Sequence, residues 1–320
     1  MQLRPGACIL GRMIGFVNAY KPAGPTSHDV VDLLRRRLPR GTRAGHCGTL
    51  DPFAEGVLVL CVGAATRLAQ YVQRQPKRYR AAVTLGAASS TDDPTGEIAA
   101  ADAATAGAAP PPEEAVRSVV AEFVGAILQV PPSHSAVHVE GRRAYQLARR
   151  GEAPALAARP VHVHSIEVLR YEYPVLELDV RCGGGTYIRA LARDIGRELG
   201  VGGYCSALAR TEIGPFRAED AVRAEDMDPH SHLLSPLAAL ADMPTFTLSA
   251  QECARLAMGQ TIPFSKADGT LSVGLGSGIA ARTSEVAVLG PGGDLIAIAS
   301  VGADGKTIRP HIVLPPSANG

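Results

Sequence analysis

"AGHCGTLDPFAEGVLVLC", residues 44 to 61, sets one carboxylate, Asp51, in a turn between a loop carrying Gly and His and an apolar run. An Asp-Pro step forms turns unaided, because the aspartate side chain bonds nearby backbone and proline presets its own φ. The run Val57 to Val62 has no polar break, which fits a strand covered on both faces or the opening turns of a helix. Length favours a helix over residues 62 to 73, continuing through "AATRLAQYV" with Arg67 on its polar side.

N-terminal to that stretch, "MIGFVNAYKPAGPTSHDVVDLLRRRLP" reads as a strand over Ile14 to Ala19, a Pro/Gly turn and a helix. Thr26 or Ser27 caps the helix, Val30, Val31, Leu33, Leu34 and Leu38 form its apolar side, and Asp29 with Arg35 to Arg37 suit its dipole. Nothing before Met13 has a period, so residues 1 to 12 are read as a tail or an overextended start. C-terminal to it, "YRAAVTLG" reads as a strand, "SSTDDPTGE" as a loop and Ala99 to Pro112 as a flexible low-complexity connection. Glu113 to Gly125 has helical spacing of its apolar residues. "VHVHSIEVLRYE" and "VLELDV" alternate like strands of an antiparallel sheet, and "CGGGTYIRALARDIGRELG" is a Gly-rich turn opening a helix that Gly200 ends. Beyond a boundary near residue 244, "EVAVLGPGGDLIAIASVGADGKTIRPHIVL" alternates around two Gly-rich turns, as a small β-barrel or meander does.

A length of 320 residues favours two units over one. The net charge of +1 carries no nucleic-acid signature. Its distribution is more informative: only Lys21, Lys77, Lys266 and Lys306 are lysines, and the other basic residues are arginines, which fork onto phosphate. Arg35, Arg36, Arg37, Arg40 and Arg43 precede Asp51, and Arg67, Arg74, Lys77, Arg78 and Arg80 follow it. Taken alone these are two solvated faces. The six cysteines lack zinc spacing, which points to a reducing compartment and no structural metal. No apolar run reaches about 18 residues, and the N-terminal apolar stretch is broken by Gly11, Arg12 and Gly15, so a cytoplasmic protein without a membrane span is expected.

Single residues say little. "GGGTYIR" lacks the GxxxxGK[ST] and GxGxxG patterns, so a nucleotide cradle is weakly supported, and Arg189 by itself reads as a structural ion pair. His46 alone reads as a structural histidine and Tyr79 as a strand residue packing inward.

The order of the pieces is what carries a signal. "KPAGPTSHDVV", "RAGHCGTLDPFAEGVLVLCVGAATRLAQY", "KRYRAAVTLG", "TDDPTGE", "QVPPSHSA", "GGGTYIRALARDIGRELG" and "LARTEIGPF" follow one another as in the bacterial TruB-type tRNA pseudouridine synthases, which the chain resembles over most of its length. The tail from "LAMGQTIP" to "RPHIVL" resembles, more loosely, that family's PUA-like RNA-binding domain. The resemblance implies a mixed α+β fold. Residues 13 to 243 would form the catalytic domain around a central, mainly antiparallel sheet, and residues 244 to 320 a small β-rich PUA-like domain.

It also implies isomerisation of a uridine in the T-arm loop of tRNA, position 55 in tRNA numbering, without metal or cofactor. The expected partner is the tRNA T-arm stem-loop, with no obligatory protein partner, no membrane, and a monomeric enzyme. By position matching Asp51 is the family's catalytic aspartate, and His46, Tyr79, Tyr187, Arg189 and Leu208 bind substrate. Detaching the base builds positive character on the ribose, which a carboxylate stabilises or traps, provided that a nearby cation keeps it ionised against burial. Arg189 is the expected cation. A base inside a loop must first be flipped out. His46 is expected to fill the gap, while Tyr79, Tyr187 and Leu208 frame the uracil and the arginine clusters hold phosphates.

The chain departs from the family at Glu55, where pairing with Arg67 is one expectation, and at His134 and His138 in a segment near substrate. Three other readings remain: a guide-RNA-directed synthase of the dyskerin type, a tRNA chaperone without catalysis, and a glycoside hydrolase. The last lacks a second carboxylate at a matching motif.

Overall fold

The computed structural model describes residues 7–9, 12–100, 109–135, 138–139, 142–143, 156–263, 285–303 and 305–315. Its large sheet runs in the order β1 (Ala7–Ile9), β2 (Arg12–Lys21), β4 (Glu55–Val62), β13 (Gly203–Ile213), β5 (Lys77–Leu85), β12 (Val175–Cys182), β11 (Arg159–Glu172), β8 (Gly125–Gln129). Beside that path β3 (Ala44–His46) pairs with β4, β14 (Phe216–Arg217) with β13, and β15 (Val222–Arg223) with β2. Pairing is antiparallel except for β13 with β4 and β15 with β2. The short pairs β6 (Ala87–Ser89) with β7 (Ile98–Ala100), and β9 (His138–Val139) with β10 (Arg142–Arg143), stand apart from it. Ala7–Ile9, within the stretch read as a tail, lies along β2.

Strand β4 explains why the run after Asp51 does not alternate: both of its faces are covered. Leu58, Leu60 and Val62 enter the main core with Val30, Val31 and Leu34 of α1 (Ser27–Arg35), whereas Val57, Val59 and Cys61 enter a second core. Helix α1 starts on a capping box in which Thr26 and Asp29 satisfy each other's backbone N–H. On the main-core side lie α3 (Glu113–Glu122), through Val116 and Val120, and α4 (Ile188–Glu198), through Ile188, Leu191 and Ile195. Residues 101 to 108 of the expected flexible connection lie outside the described residues.

Helical structure begins only at residue 63, as a 3-10 segment (Gly63–Leu68) that passes into α2 (Ala69–Arg74). Gly63 turns the chain out of β4 at φ +62°, and a Cβ there would stand 2.2 Å from the Met13 carbonyl oxygen, so only glycine fits. Arg67 donates to the carbonyl of Val313 at 2.6 Å rather than pairing with Glu55. Glu55 lies instead beside the Tyr20 hydroxyl, which burial first and this carboxylate second push upward in pKa.

The C-terminal sheet has the order β16 (Thr245–Thr247), β18 (Glu285–Leu289), β19 (Leu295–Val301), β20 (Thr307–Val313), β17 (Ile262–Pro263). One face, with Val286, Val288, Ala297 and Ala299, packs with Phe246 and with Leu256 of the helix Ala250–Ala257. The other, through Ala287, Leu295, Ile298 and Ile312, joins the second core with Phe16, Val57, Leu68 and Tyr71. Tyr71 donates to Glu285 at 3.3 Å across this junction. Among the described residues no helix is long and apolar enough to cross a membrane.

Candidate active site

The turn that carries Asp51 is tied down from three directions. Ser27, on the first turn of α1, donates its hydroxyl to the Leu50 carbonyl and accepts from the Leu50 N–H, both at 2.8 Å. The Pro52 carbonyl accepts from the Gly24 N–H at 2.7 Å and from Lys21 Nζ at 3.4 Å, while the same ammonium holds the carbonyls of Pro22 and Pro25. Arg210, on β13 and 2% exposed, donates to Val57, Thr49 and Gly48 carbonyls at 2.8, 3.1 and 3.2 Å. The "KPAGPTS", "GTLDP" and "LAR" motifs are therefore one hydrogen-bonded unit, joined where β4 and β13 run parallel at Glu55 and Gly56.

Arg189 stands in the first turn of α4 with only 4% of its side chain exposed. Its Nε lies 2.9 Å from Asp51 Oδ2, an ion-pair distance, although the N–H does not point at that oxygen in hydrogen-bond geometry. Nη1 donates to Asp93 Oδ2 at 2.9 Å and to the Thr91 carbonyl at 3.0 Å, and Nη2 to the His134 carbonyl at 3.0 Å. Asp93 is itself fixed, since its Oδ1 accepts from the Thr91 hydroxyl and from the Thr95 N–H and hydroxyl. The guanidinium is thus held on the far side by the buried Asp93, and Asp51, with 32% of its side chain exposed, is the more accessible of its two carboxylate partners.

Burial pushes the Asp51 carboxyl above the usual carboxylate range; Arg189 opposes that most, Asp93 adds to it, and Arg210 and Lys21 oppose it. The side chain is partly exposed while burial dominates its electrostatics, so the group is reachable and poorly hydrated at once. Burial lowers the Lys21 ammonium to about 8, with Asp51 opposing.

Tyr79 on β5 is opposite Arg210 of β13 and is buried, which drives its hydroxyl pKa upward, with Arg210 acting against this. Leu208 on β13 faces Ala81 and belongs to the same core as Tyr79 and Leu50. Tyr187 precedes α4, half-buried, under the Arg159 guanidinium at 5.1 Å. His46 closes β3 and lines a separate depression of about 590 Å3 with Arg35, Arg43 and Cys61, whose lining does not include Asp51. The structure therefore joins Asp51 and Arg189 directly, sets Tyr79 and Leu208 on the strands beneath them, and puts His46 on the neighbouring basic wall. His134 contributes its backbone, and His138 falls in β9.

Sequence reasoning on single sites passed over Asp93, Arg210 and Lys21. Each lies inside a quoted motif, but a buried charge that bonds backbone has no periodicity to reveal it.

Two solved structures share this architecture. A chain of an H/ACA RNP bound to a substrate RNA containing 2'-deoxyuridine is 25% identical, with a TM-score of 0.68, covering 95% of this chain and 86% of that one. A chain of a Cbf5-Nop10-Gar1 complex is 27% identical, with a TM-score of 0.67, over 94% and 84%. The family model for the TruB family pseudouridylate synthase N-terminal domain matches residues 35–188, and that for the tRNA pseudouridylate synthase B C-terminal domain matches 189–235. The two matches meet inside α4, within one continuous sheet. The proteins named tRNA pseudouridine synthase B from Microcystis aeruginosa and an Arthrobacter species are 41% and 42% identical, covering 94% and 95% of this chain and 99% and 97% of theirs. The chain belongs to the TruB family of pseudouridylate synthases.

Proposed function

We propose that this enzyme converts one uridine of the tRNA T-arm loop, position 55, to pseudouridine, acting alone on a base flipped out of the loop, with Asp51 as the group that meets the nucleoside. The observation that carries the reading is the 2.9 Å approach of Asp51 to an arginine whose other two nitrogens are bonded to Asp93, Thr91 and His134. An ionised carboxylate, held by a cation that cannot swing away, is suited to a sugar that gains positive character or to a base open to attack. Tyr79, Tyr187 and Leu208 act as the uracil pocket, His46 as the filler of the vacated stack, and the arginine-lined wall as phosphate contacts. Residues 13 to 243 act as the catalytic unit and residues 244 to 320 as an RNA-binding unit.

Relatives at about 40% identity over nearly the whole chain bear the name tRNA pseudouridine synthase B, which favours a standalone tRNA enzyme over a guide-directed one. The test is incubation of the purified chain with an unmodified T-arm transcript, followed by mass spectrometry after cyanoethylation. Pseudouridine at the single expected position, lost in Asp51→Asn while RNA binding persists, is the expected result. Product only when guide RNA and partner proteins are added would favour the dyskerin type. Free uracil would mean hydrolysis, and RNA refolding that survives Asp51→Asn without product would mean a chaperone.

A further inference from the structure

Helix α4 carries Arg189 but begins without a side-chain cap at Tyr187. Its start is held from outside. Gln129, the last residue of edge strand β8 and 1% exposed, accepts the Tyr187 N–H on Oε1 at 2.8 Å and donates from Nε2 to the Tyr187 carbonyl at 3.1 Å. One side-chain amide thus engages both polar groups of one residue, as the facing residue does in a hydrogen-bonded antiparallel pair. That carbonyl also accepts the first helical N–H, from Leu191 at 3.1 Å. Both peptide planes flanking the Tyr187 Cα are fixed, and with them the direction in which its ring leaves the backbone.

Arg159 stands opposite Gln129 in the β8–β11 register and works on the same segment. Its guanidinium lies 5.1 Å from the centroid of the Tyr187 ring, and its Nη2 donates to the Gly185 carbonyl at 3.1 Å. Two cross-strand neighbours therefore grip residues 185 to 187 by backbone and by ring face, two residues before the arginine that pairs with Asp51. The preceding turn contains three consecutive glycines, Gly183 to Gly185, and has little stiffness of its own.

We infer that Gln129, with Arg159, is a positioning device for the reaction: the amide sets the Tyr187 wall of the nucleoside pocket and delivers Arg189 to Asp51 at the start of α4. This deepens the function proposed above and rests on it. Gln129 itself touches no reacting atom. It acts through Tyr187 and Arg189, and a displacement of about 1 Å there is enough to cost about 100-fold in rate.

The test uses the full chain and the T-arm transcript. Wild-type protein must first form pseudouridine; if it does not, the functional reading fails and the clamp is not at issue. Given wild-type activity, Gln129→Leu, which keeps the bulk and removes the amide, is expected to lower the single-turnover rate about 10- to 100-fold with the Kd for RNA within about twofold. Gln129→Glu keeps the acceptor for the Tyr187 N–H but sets a carboxylate against its carbonyl, and should retain more activity than Gln129→Leu at a pH low enough to protonate it. That recovery, taken as the ratio to the wild-type rate at each pH and with an RNA affinity that does not change, is a signature a merely structural residue would not give. A wild-type single-turnover rate in Gln129→Leu overturns the inference. Should Gln129→Leu fail to fold, Gln129→Glu decides: a wild-type rate at neutral pH overturns it, and a reduced rate that approaches the wild-type rate measured at the same acidic pH supports it.

Discussion

Arg210 donates to the carbonyl of Thr49 at 3.1 Å, reaching from β13 to the loop two residues before Asp51. With its bonds to Gly48 and Val57, this one buried guanidinium joins the start of β4 to the loop that bears the carboxylate. Stability and site geometry therefore meet in the same side chain.

Replacing Arg210 by Met leaves the carbonyls of Gly48, Thr49 and Val57 without this donor. Buried groups deprived of a partner cost about 1–3 kcal/mol each, so a loss of at least that size in unfolding free energy is expected, together with slower turnover. Chemical denaturation paired with single-turnover rates checks both.

Arg189→Lys is expected to reduce turnover about 100-fold or more while RNA affinity changes little. An ammonium is a point charge and cannot serve Asp51, Asp93 and two carbonyls in one plane. A filter-binding titration beside a product assay separates the two effects.

The acid limb of the rate profile should report Asp51. In the proposed reaction the anion is the active form, and burial raises the pKa of this carboxyl, so activity should be lost on acidification already above the ordinary range near about 3.9. Removing the negative charge of Asp93 favours ionisation, so Asp93→Asn should move that limb to lower pH even though it loosens Arg189 and lowers the plateau. Arg210→Met removes a cation and should move the limb upward. Single-turnover rates across pH give the sign in each case.

The C-terminal sheet shares its core with the large sheet, through Ile298 and Ile312 against Phe16, Val57 and Leu68. Ile298→Ala, at a fully buried position, should cost about 2–5 kcal/mol and lower the unfolding temperature of the whole chain in one transition. Removal of residues 244 to 320 should weaken tRNA binding and also expose that apolar surface, seen as a lower melting temperature and increased dye binding. Calorimetry distinguishes one joint transition from two independent ones.

Local signals read well where a single element explains them. The capped helix after Thr26, the alternating strands near residues 161 to 180 and the Gly-rich opening of α4 are set by spacing and turn chemistry, and the structure has them. The run at Val57 to Val62 was ambiguous because burial on both faces erases the period that distinguishes strand from helix. The Glu55–Arg67 pairing failed because the residues lie on two elements that point to different neighbours.

The amino-acid sequence alone determined the family, through seven motifs in one order, and with it the chemistry expected of Asp51. Tertiary structure alone decided that "TDDPTGE" holds the far side of Arg189, that Arg210 and Lys21 fasten the aspartate turn, and that Gln129 holds the head of α4. These contacts join residues far apart in the chain through buried polar groups, whose partners are chosen by three-dimensional proximity and the need to satisfy every buried donor and acceptor, neither of which leaves a period in a linear string.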